Sequence, residues 1–417
     1  MTDRPAGWGN FLWLSIYQVI LRIGWIFKTE SIIMPAFMDL IGGASWQRGC
    51  LPMLSRFGQS IPPLLFSDRI RNVRFKKKAL WMSTSLMGSC FLVLSFCWWS
   101  TDGENRLWWP WLFLAVYALF FAASGVNQLV FNTLTGKLIS ADHRGRLAAA
   151  GSLIGGLSAI GFAFLLLRPW LDATPPQFGL IFGFTGAAML TAAGIAWLLF
   201  ELPDEDRGGL STGIEIVLKA SSRVVQDRNF CLLAIAGAMF GMSMTLFPHY
   251  QSIAKQKLGI GYHTMLYWIV AQHVGASLLA VPAGWLADRY GNRRVLRILM
   301  GLLCLAPAML LVLQLMDSPH RFFYLVIFFL LGLTPITYRY FNNYTLEITS
   351  AENHPAYLST LSCCTALPVI ATSLLVGWLI DVIGLYAVFG GVMSLLLVGW
   401  AATFLLAEPR DKSFQKI

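Results

Sequence analysis

Three charged residues break the first long apolar run of this sequence, 11-FLWLSIYQVILRIGWIFKTESIIM-34. Arg22 lies about eleven residues into it, which at ~1.5 Å per residue is mid-bilayer depth. A guanidinium there needs a carboxylate, either from an internal bridge or from an anionic ligand. Glu30 is a candidate proton carrier, being a carboxyl in apolar surroundings. Lys28 stands two residues from it, so on a helix the two face different sides, one toward headgroups and one inward.

Other polar groups recur at comparable depth. Arg56 and Gln59 are three apart, and Gln128 and Asn132 are four apart beside Asn127, spacings that share a helical face. Gln272 and His273 fall in one later run, and Arg339 with Asn342 and Asn343 in another. His249 is expected near the outer end of its run, where interfacial polarity competes with titration as its reason for being there. Hydrogen bonding between helices explains any of these singly. Their recurrence favours a hydrated path, and the excess of Arg22, Arg56 and Arg339 over Glu30 suggests an anionic or zwitterionic solute.

Chemistry of other kinds finds no support. The sequence has no HExxH, no nucleophile elbow and no Gly-rich phosphate loop ending in Lys-Ser/Thr, so neither catalysis nor ATP hydrolysis is expected. The seven cysteines sit mostly inside apolar runs without metal-ligand spacing and read as small buried hydrophobes. No metal or cofactor is expected.

The elements that must position these residues follow from composition. Of 417 residues, 56% are hydrophobic and 12% charged, about half the charge a soluble domain carries. Apolar runs of bilayer length predict an all-α polytopic membrane protein with twelve spans, near 11–34, 47–66, 79–99, 110–134, 147–168, 177–200, 229–250, 264–286, 295–316, 321–343, 357–380 and 384–407. Several tryptophans, Trp8, Trp46, Trp108, Trp109, Trp111 and Trp170 among them, lie near the ends of these runs, as an interfacial belt requires. Basic residues fall in alternate connections, with Arg69 to Lys78, Lys137 to Arg146, Arg207 to Arg228 and Arg289 to Arg297 on one side. That side wins by about three to one, which makes it cytoplasmic and places both termini there, in a cytoplasmic-type cell membrane. The net charge of +10 is thus directed at anionic lipid rather than nucleic acid, and Lys76, Lys77 and Lys78 read as headgroup anchors. The longest polar connection, 201–228, divides two six-span bundles, 1–200 and 229–417; its stretch around 214–225 suits either an interfacial helix or a plain linker.

The loops repeat. The connection 140-SADHRGRLAA-149 answers 350-SAENHPAYLS-359 at an offset of 210, and 60-SIPPLLFSDRIRN-72 answers 280-AVPAGWLADRYGN-292 at an offset of 220. Parallel repeats of this kind are a transporter design with the solute path between halves. The later loop, with Gly284, Asp288, Arg289, Gly291, Arg293 and Arg294, resembles the signature of the major facilitator superfamily (MFS), and the order of spans and loops resembles it over essentially the whole chain. Asp142, Arg144, Gly145 and Arg146 resemble its acid-x-Arg-Gly-Arg motif. The first-half copy keeps Asp68 and Arg69, while Leu64 and Arg71 replace its two glycines. Span five has Gly151, Gly155 and Gly156 but lacks the Gly-Pro pair of antiporter members, which disfavours proton-driven drug export.

The resemblance implies an MFS-type fold of two pseudo-symmetric bundles and a cytoplasmic latch at Asp68, Arg69, Asp142, Arg144, Arg146 and the 284–294 loop. Arginines that merely stop a span and fix its register are the plainer reading. Gly284 would let two helices approach, and Gly291 would allow a tight turn. The function expected is secondary active movement of a small solute by alternating access, coupled to a proton or other ion, by a monomer among membrane lipids. A membrane sensor or assembly protein of the same fold, and a carrier of lipid-linked substrates, are the rival readings.

Overall fold

The computed structural model describes residues 4–101, 106–204, 227–259, 261–316, 320–350 and 353–409. The stretch around 214–225 considered for an interfacial helix lies outside them. Helices account for nearly all of the described chain. The first apolar run forms not one helix but two, α1 (Arg4–Ile26) and α2 (Ile33–Leu40). α3 (Ser45–Asn72), α4 (Lys76–Ser100) and α5 (Trp109–Leu138) follow, then α6 (Ala141–Phe162), which runs through a π turn into the short α7 (Arg168–Asp172), and α8 (Phe178–Trp197). Beyond the long connection come α9 (Arg228–Ser243), α10 (Phe247–Leu258), α11 (Met265–Leu278), α12 (Ala280–Tyr290) and α13 (Asn292–Leu315). α14 (Arg321–Leu331), α15 (Thr334–Ile348), α16 (His354–Ile383) and α17 (Leu385–Leu405) complete the order.

Among the described residues, ten helical stretches are long and apolar enough to cross a membrane, so the protein is a multi-pass membrane protein. α1 and α3 are not among the ten. Asn10, Gln18 and Arg22 dilute the first, and Gln47, Arg48, Arg56 and Gln59 the second.

Among the described residues, one device recurs at three of the mid-course interruptions. Where a helix stops, carbonyls lose their amide partners, which hydrocarbon does not tolerate. Thr29 Oγ1 donates to Ile26 O at 2.8 Å after α1, Thr245 Oγ1 to Met242 O at 2.7 Å after α9, and Thr334 Oγ1 to Leu331 O at 2.8 Å after α14. A proline then stands in the first turn of each resumed helix, Pro35, Pro248 and Pro335, where its missing N–H costs nothing.

The chain packs as two compact units. In the first, Met1–Gly43, Leu54–Gly213 and Gly261–Leu266, α4 lies along α8 and α5, and α1 along α6 and α8. α2 is buried over Ile33 to Met38, and Phe37 at its centre meets the rings of Trp98, Trp109, Phe113, Phe178 and Phe182 at 4.7–5.9 Å. That cluster fixes the far side of the break in the first run. In the second unit, Ala44–Met53, Ile214–Ile260 and Tyr267–Ile417, α9 packs on α16 and α17, and α13 on α14 and α17. Gly291 (φ +88°) and Gly384 (φ +86°) each reverse the chain between two helices, in a backbone region other residues avoid.

Backbone meets backbone where α3 crosses α5. A Cβ on Gly125 would collide with Gly58 O, and one on Gly58 would lie 2.5 Å from the Phe121 carbonyl carbon. No flexible side chain is there to yield. Gly125→Ala should therefore lower stability by about 2 kcal/mol or more, read as a fall in thermal midpoint of the detergent-purified protein. A midpoint equal to that of the unaltered protein would show that the crossing opens freely.

Candidate functional site

The break after α1 gathers the most concentrated charge found within an apolar run. Its residues no longer follow helical geometry, so Lys28 and Glu30 meet although they are two apart: Lys28 Nζ donates to Glu30 Oε1 at 3.2 Å. This corrects the expectation of opposite faces, and the reason is that the helix has already ended at Ile26. Lys28 does not reach headgroups either, since its side chain is fully buried. Its ammonium lies 3.3 Å from the ring centre of Trp25, 4.4 Å from Phe121 and 4.7 Å from Phe120, an aromatic cage that replaces part of the lost hydration. The Glu30 side chain keeps 29% of its exposure and is the accessible member of the pair. Its second oxygen, Oε2, accepts from Ser55 Oγ at 2.8 Å.

Arg56 follows Ser55 on α3 and is half-buried. Among the described residues it makes no hydrogen bond or ion pair. Tyr117 on α5 lies within electrostatic reach of both Glu30 and Arg56, and its hydroxyl is buried with no partner among the described residues. Ser55 and Tyr117 carry no signal in the sequence alone, and Lys28 is visible there only as a charge in an apolar run. Pro35, marking a helix start inside an apolar run, is the signal that could have located the break.

The other candidates are placed as follows. Arg22 is exposed and lies over Gly155 of α6, as Gln18 lies over Gly151, so two glycines four apart make room for two polar side chains four apart. Asn127 is 4% exposed and donates to Tyr17 OH, Ser83 Oγ and Thr84 Oγ1 at 2.7–3.0 Å, which ties α1, α4 and α5 together. Asn127→Leu should cost about 1–3 kcal/mol, because those hydroxyls lose a shared partner, while leaving solute affinity unchanged. A fall in affinity at an unchanged thermal midpoint would instead put Asn127 against the solute.

Gln128 and Asn132 do share a face, joined at 3.0 Å, and both are exposed. Gln59 is half-buried, its Cα facing Gly125. His249 is 1% exposed, which corrects its expected interfacial position: the broken course of α9 and α10 turns it inward. Its Nε2 and both amide atoms of Gln251 lack partners among the described residues. His273 Nδ1 lies 2.9 Å from Ile269 O of its own helix, and the neighbouring Gln272 carries the carbonyl that a Cβ on Gly332 would strike. Arg339 is exposed, and it and Asp288 both act electrostatically on Tyr340.

The loop before α13 is held largely by its own unit. Arg293 pairs with Glu408 at 3.0 Å and donates to Leu406 O at 2.8 Å, while Arg297 donates to Thr403 O at 3.2 Å. Arg289 stacks near Trp285 and Tyr290, and Arg294 near Tyr290. Gly291 makes the expected tight turn. Gly284 does not bring helices together, since a Cβ there would meet open space. Arg69 and Arg146 are exposed, and the side chains of Asp68, Asp142 and Arg144 lie outside the described residues.

The first unit has its own counterpart of the Arg293–Glu408 tie. Glu201 accepts from the backbone N–H groups of Lys76 and Lys77 at 2.9 and 2.8 Å and from Lys137 Nζ at 2.9 Å, while Asp204 pairs with Lys76 and Lys137. Lys76 is thus buried in an ion-pair network, and Lys77 Nζ binds Leu199 O at 2.8 Å. Neither is simply a headgroup anchor. Asparagines close both arrangements. Asn10 exchanges two 2.9 Å bonds with Phe200, and Asn229 accepts from Ala407 N at 2.8 Å.

This repeated architecture agrees with the comparisons. Residues 230–416, the second half of the chain, match the family profile described as Major Facilitator Superfamily. No curated protein matches it by sequence. A point mutant of the nucleoside transporter NupG superposes with a TM-score of 0.74 at 10% identity, covering 96% of this chain and all of the other. The POT family transporter PepTSo gives 0.70 at 10% identity, covering 97% and 98%. A variant of the E. coli fucose:proton symporter FucP gives 0.58 at 12% identity, covering 97% and 100%. At these identities the likeness speaks for the fold.

Proposed function

We propose that this protein is a secondary active transporter that moves a small anionic or zwitterionic solute across a cytoplasmic-type membrane by alternating access. In this reading twelve spans form two bundles, 1–200 and 229–417, joined by a cytoplasmic linker, and the protein works as a monomer with both termini inside. The observation that carries it is the buried charge at the break after α1. Lys28 pairs with Glu30, and Arg56, next to the Ser55 that also holds Glu30, adds a second cation within a membrane domain where unneeded charge is strongly disfavoured. Glu30, the half-buried and more accessible member of the pair, is the group available to a coupling proton. The solved relatives are named for nucleosides, peptides and fucose, so the fold itself leaves the solute open.

Uptake into proteoliposomes tests the reading. Organic anions, amino acids, sugars and nucleosides would be offered under an imposed pH gradient, after a thermal-stabilisation screen has chosen those that bind. Gradient-dependent accumulation of an anion or zwitterion is the expected result. A folded protein that binds solutes but supports neither net flux nor exchange would favour the sensor reading.

A further inference from the structure

The cluster at the break is unbalanced in a way that specifies its ligand. Both Glu30 oxygens already have donors: Oε1 holds Lys28 and Oε2 holds Ser55. The aromatic cage is likewise occupied, by the Lys28 ammonium. What remains, among the described residues, is a guanidinium without an ion pair and a buried phenol without a hydrogen-bond partner, the phenol lying within electrostatic reach of both Arg56 and Glu30. The deficit is one negative charge and several hydrogen-bond acceptors. A cationic ligand would find its cage filled and a second cation beside it, and a neutral one would leave Arg56 uncompensated.

We propose that Arg56 and Tyr117 form the subsite for a carboxylate of the transported solute. The guanidinium donates two N–H groups to the two carboxylate oxygens, a planar match that lysine cannot reproduce. The Tyr117 hydroxyl donates to one of the same oxygens. Lys28 stays on Glu30 and keeps that acid from competing for Arg56. Loading then brings the cluster to two positive and two negative charges, so the solute carries in the charge that the empty site lacks. That this ligand is the transported solute rests on the transport reading, but its binding can be tested without it.

The test uses the full-length protein in detergent and matched probe pairs: formate, acetate, lactate, benzoate and glycine, each against its amide. Binding is read by thermal stabilisation and by titration calorimetry. At least one carboxylate is expected to bind about tenfold or more tightly than its amide. That preference should vanish in Arg56→Gln, persist weakened in Arg56→Lys, and fall severalfold in Tyr117→Phe. Equal shifts for acid and amide in every pair, no shift by any carboxylate, or a preference surviving Arg56→Gln would each overturn the subsite. Arg56→Lys keeps the charge and guards against reading a folding defect as lost binding. Exchange of the best probe across proteoliposomes separates the two claims. Binding that depends on Arg56 without exchange would leave the subsite standing and remove the transport reading.

Discussion

Glu30→Gln should destabilise the protein by about 2–3 kcal/mol, and adding Lys28→Met should recover most of the loss. The single change removes the partner of an ammonium that is fully buried. Stranding one member of a buried ion pair costs about 3–5 kcal/mol. The cage of Trp25, Phe120 and Phe121 survives the substitution and retains about 2 kcal/mol of attraction for the cation, which lowers the net effect. Lys28→Met alone should be milder, about 1–2 kcal/mol. The methionine fills the cage, and the carboxylate left behind is partly exposed and still bound by Ser55. Denaturant or thermal unfolding of the four proteins in one detergent gives the coupling directly. If Lys28→Met proved as damaging as Glu30→Gln, the burial asymmetry would not be what governs the pair.

The parts of this architecture that water touches were readable in the sequence, and the parts that helix interruption creates were not. Loops such as 284–294 announce themselves because charge is excluded from the runs on either side, and Gly291 was legible because so sharp a turn needs its backbone freedom. Arg22, Arg56 and Glu30 were visible for the same reason, as charges in apolar runs. Lys28 was misjudged because helical phase was extended through residues that are not helical. Tyr117 was passed over because a tyrosine in an apolar span is ordinary, and only its lack of an acceptor beside Arg56 makes it notable. Gly284 was credited with a contact because the motif carries a glycine there, yet the space beside it is open. Glu201 was overlooked because 201-ELPDED-206 looks like the start of a solvated linker. Its role depends on a helix more than a hundred residues earlier.

Glu201→Ala should accordingly be among the most damaging single changes in the chain, at about 3–4 kcal/mol, and much worse than Glu408→Ala. α4 begins at Lys76 with no cap from its own sequence, since Phe75 precedes it. The Glu201 carboxylate supplies that cap from the far end of α8, accepting two backbone N–H groups at the positive end of the helix and the Lys137 ammonium besides. Its side chain is fully buried, so water cannot take its place without opening the junction. Alanine would leave two amides and an ammonium to be resolvated together. Among the described residues Glu408 has one ion-pair partner, Arg293, whose guanidinium keeps Leu406 O when the acid is removed, so its loss should cost about 1–2 kcal/mol. Asp204 adds a pH signature to the stronger clamp. Hydrogen bonds from Lys137, then Lys76, hold its carboxyl below the usual aspartate range, so its contribution is present at neutral pH and fades as pH falls through that depressed value. Thermal midpoints of Glu201→Ala, Glu408→Ala and Asp204→Asn between about pH 7 and pH 3 would decide the matter. Equal losses for the two glutamates would mean that the helix cap adds nothing beyond an ion pair, and that the two units are braced alike.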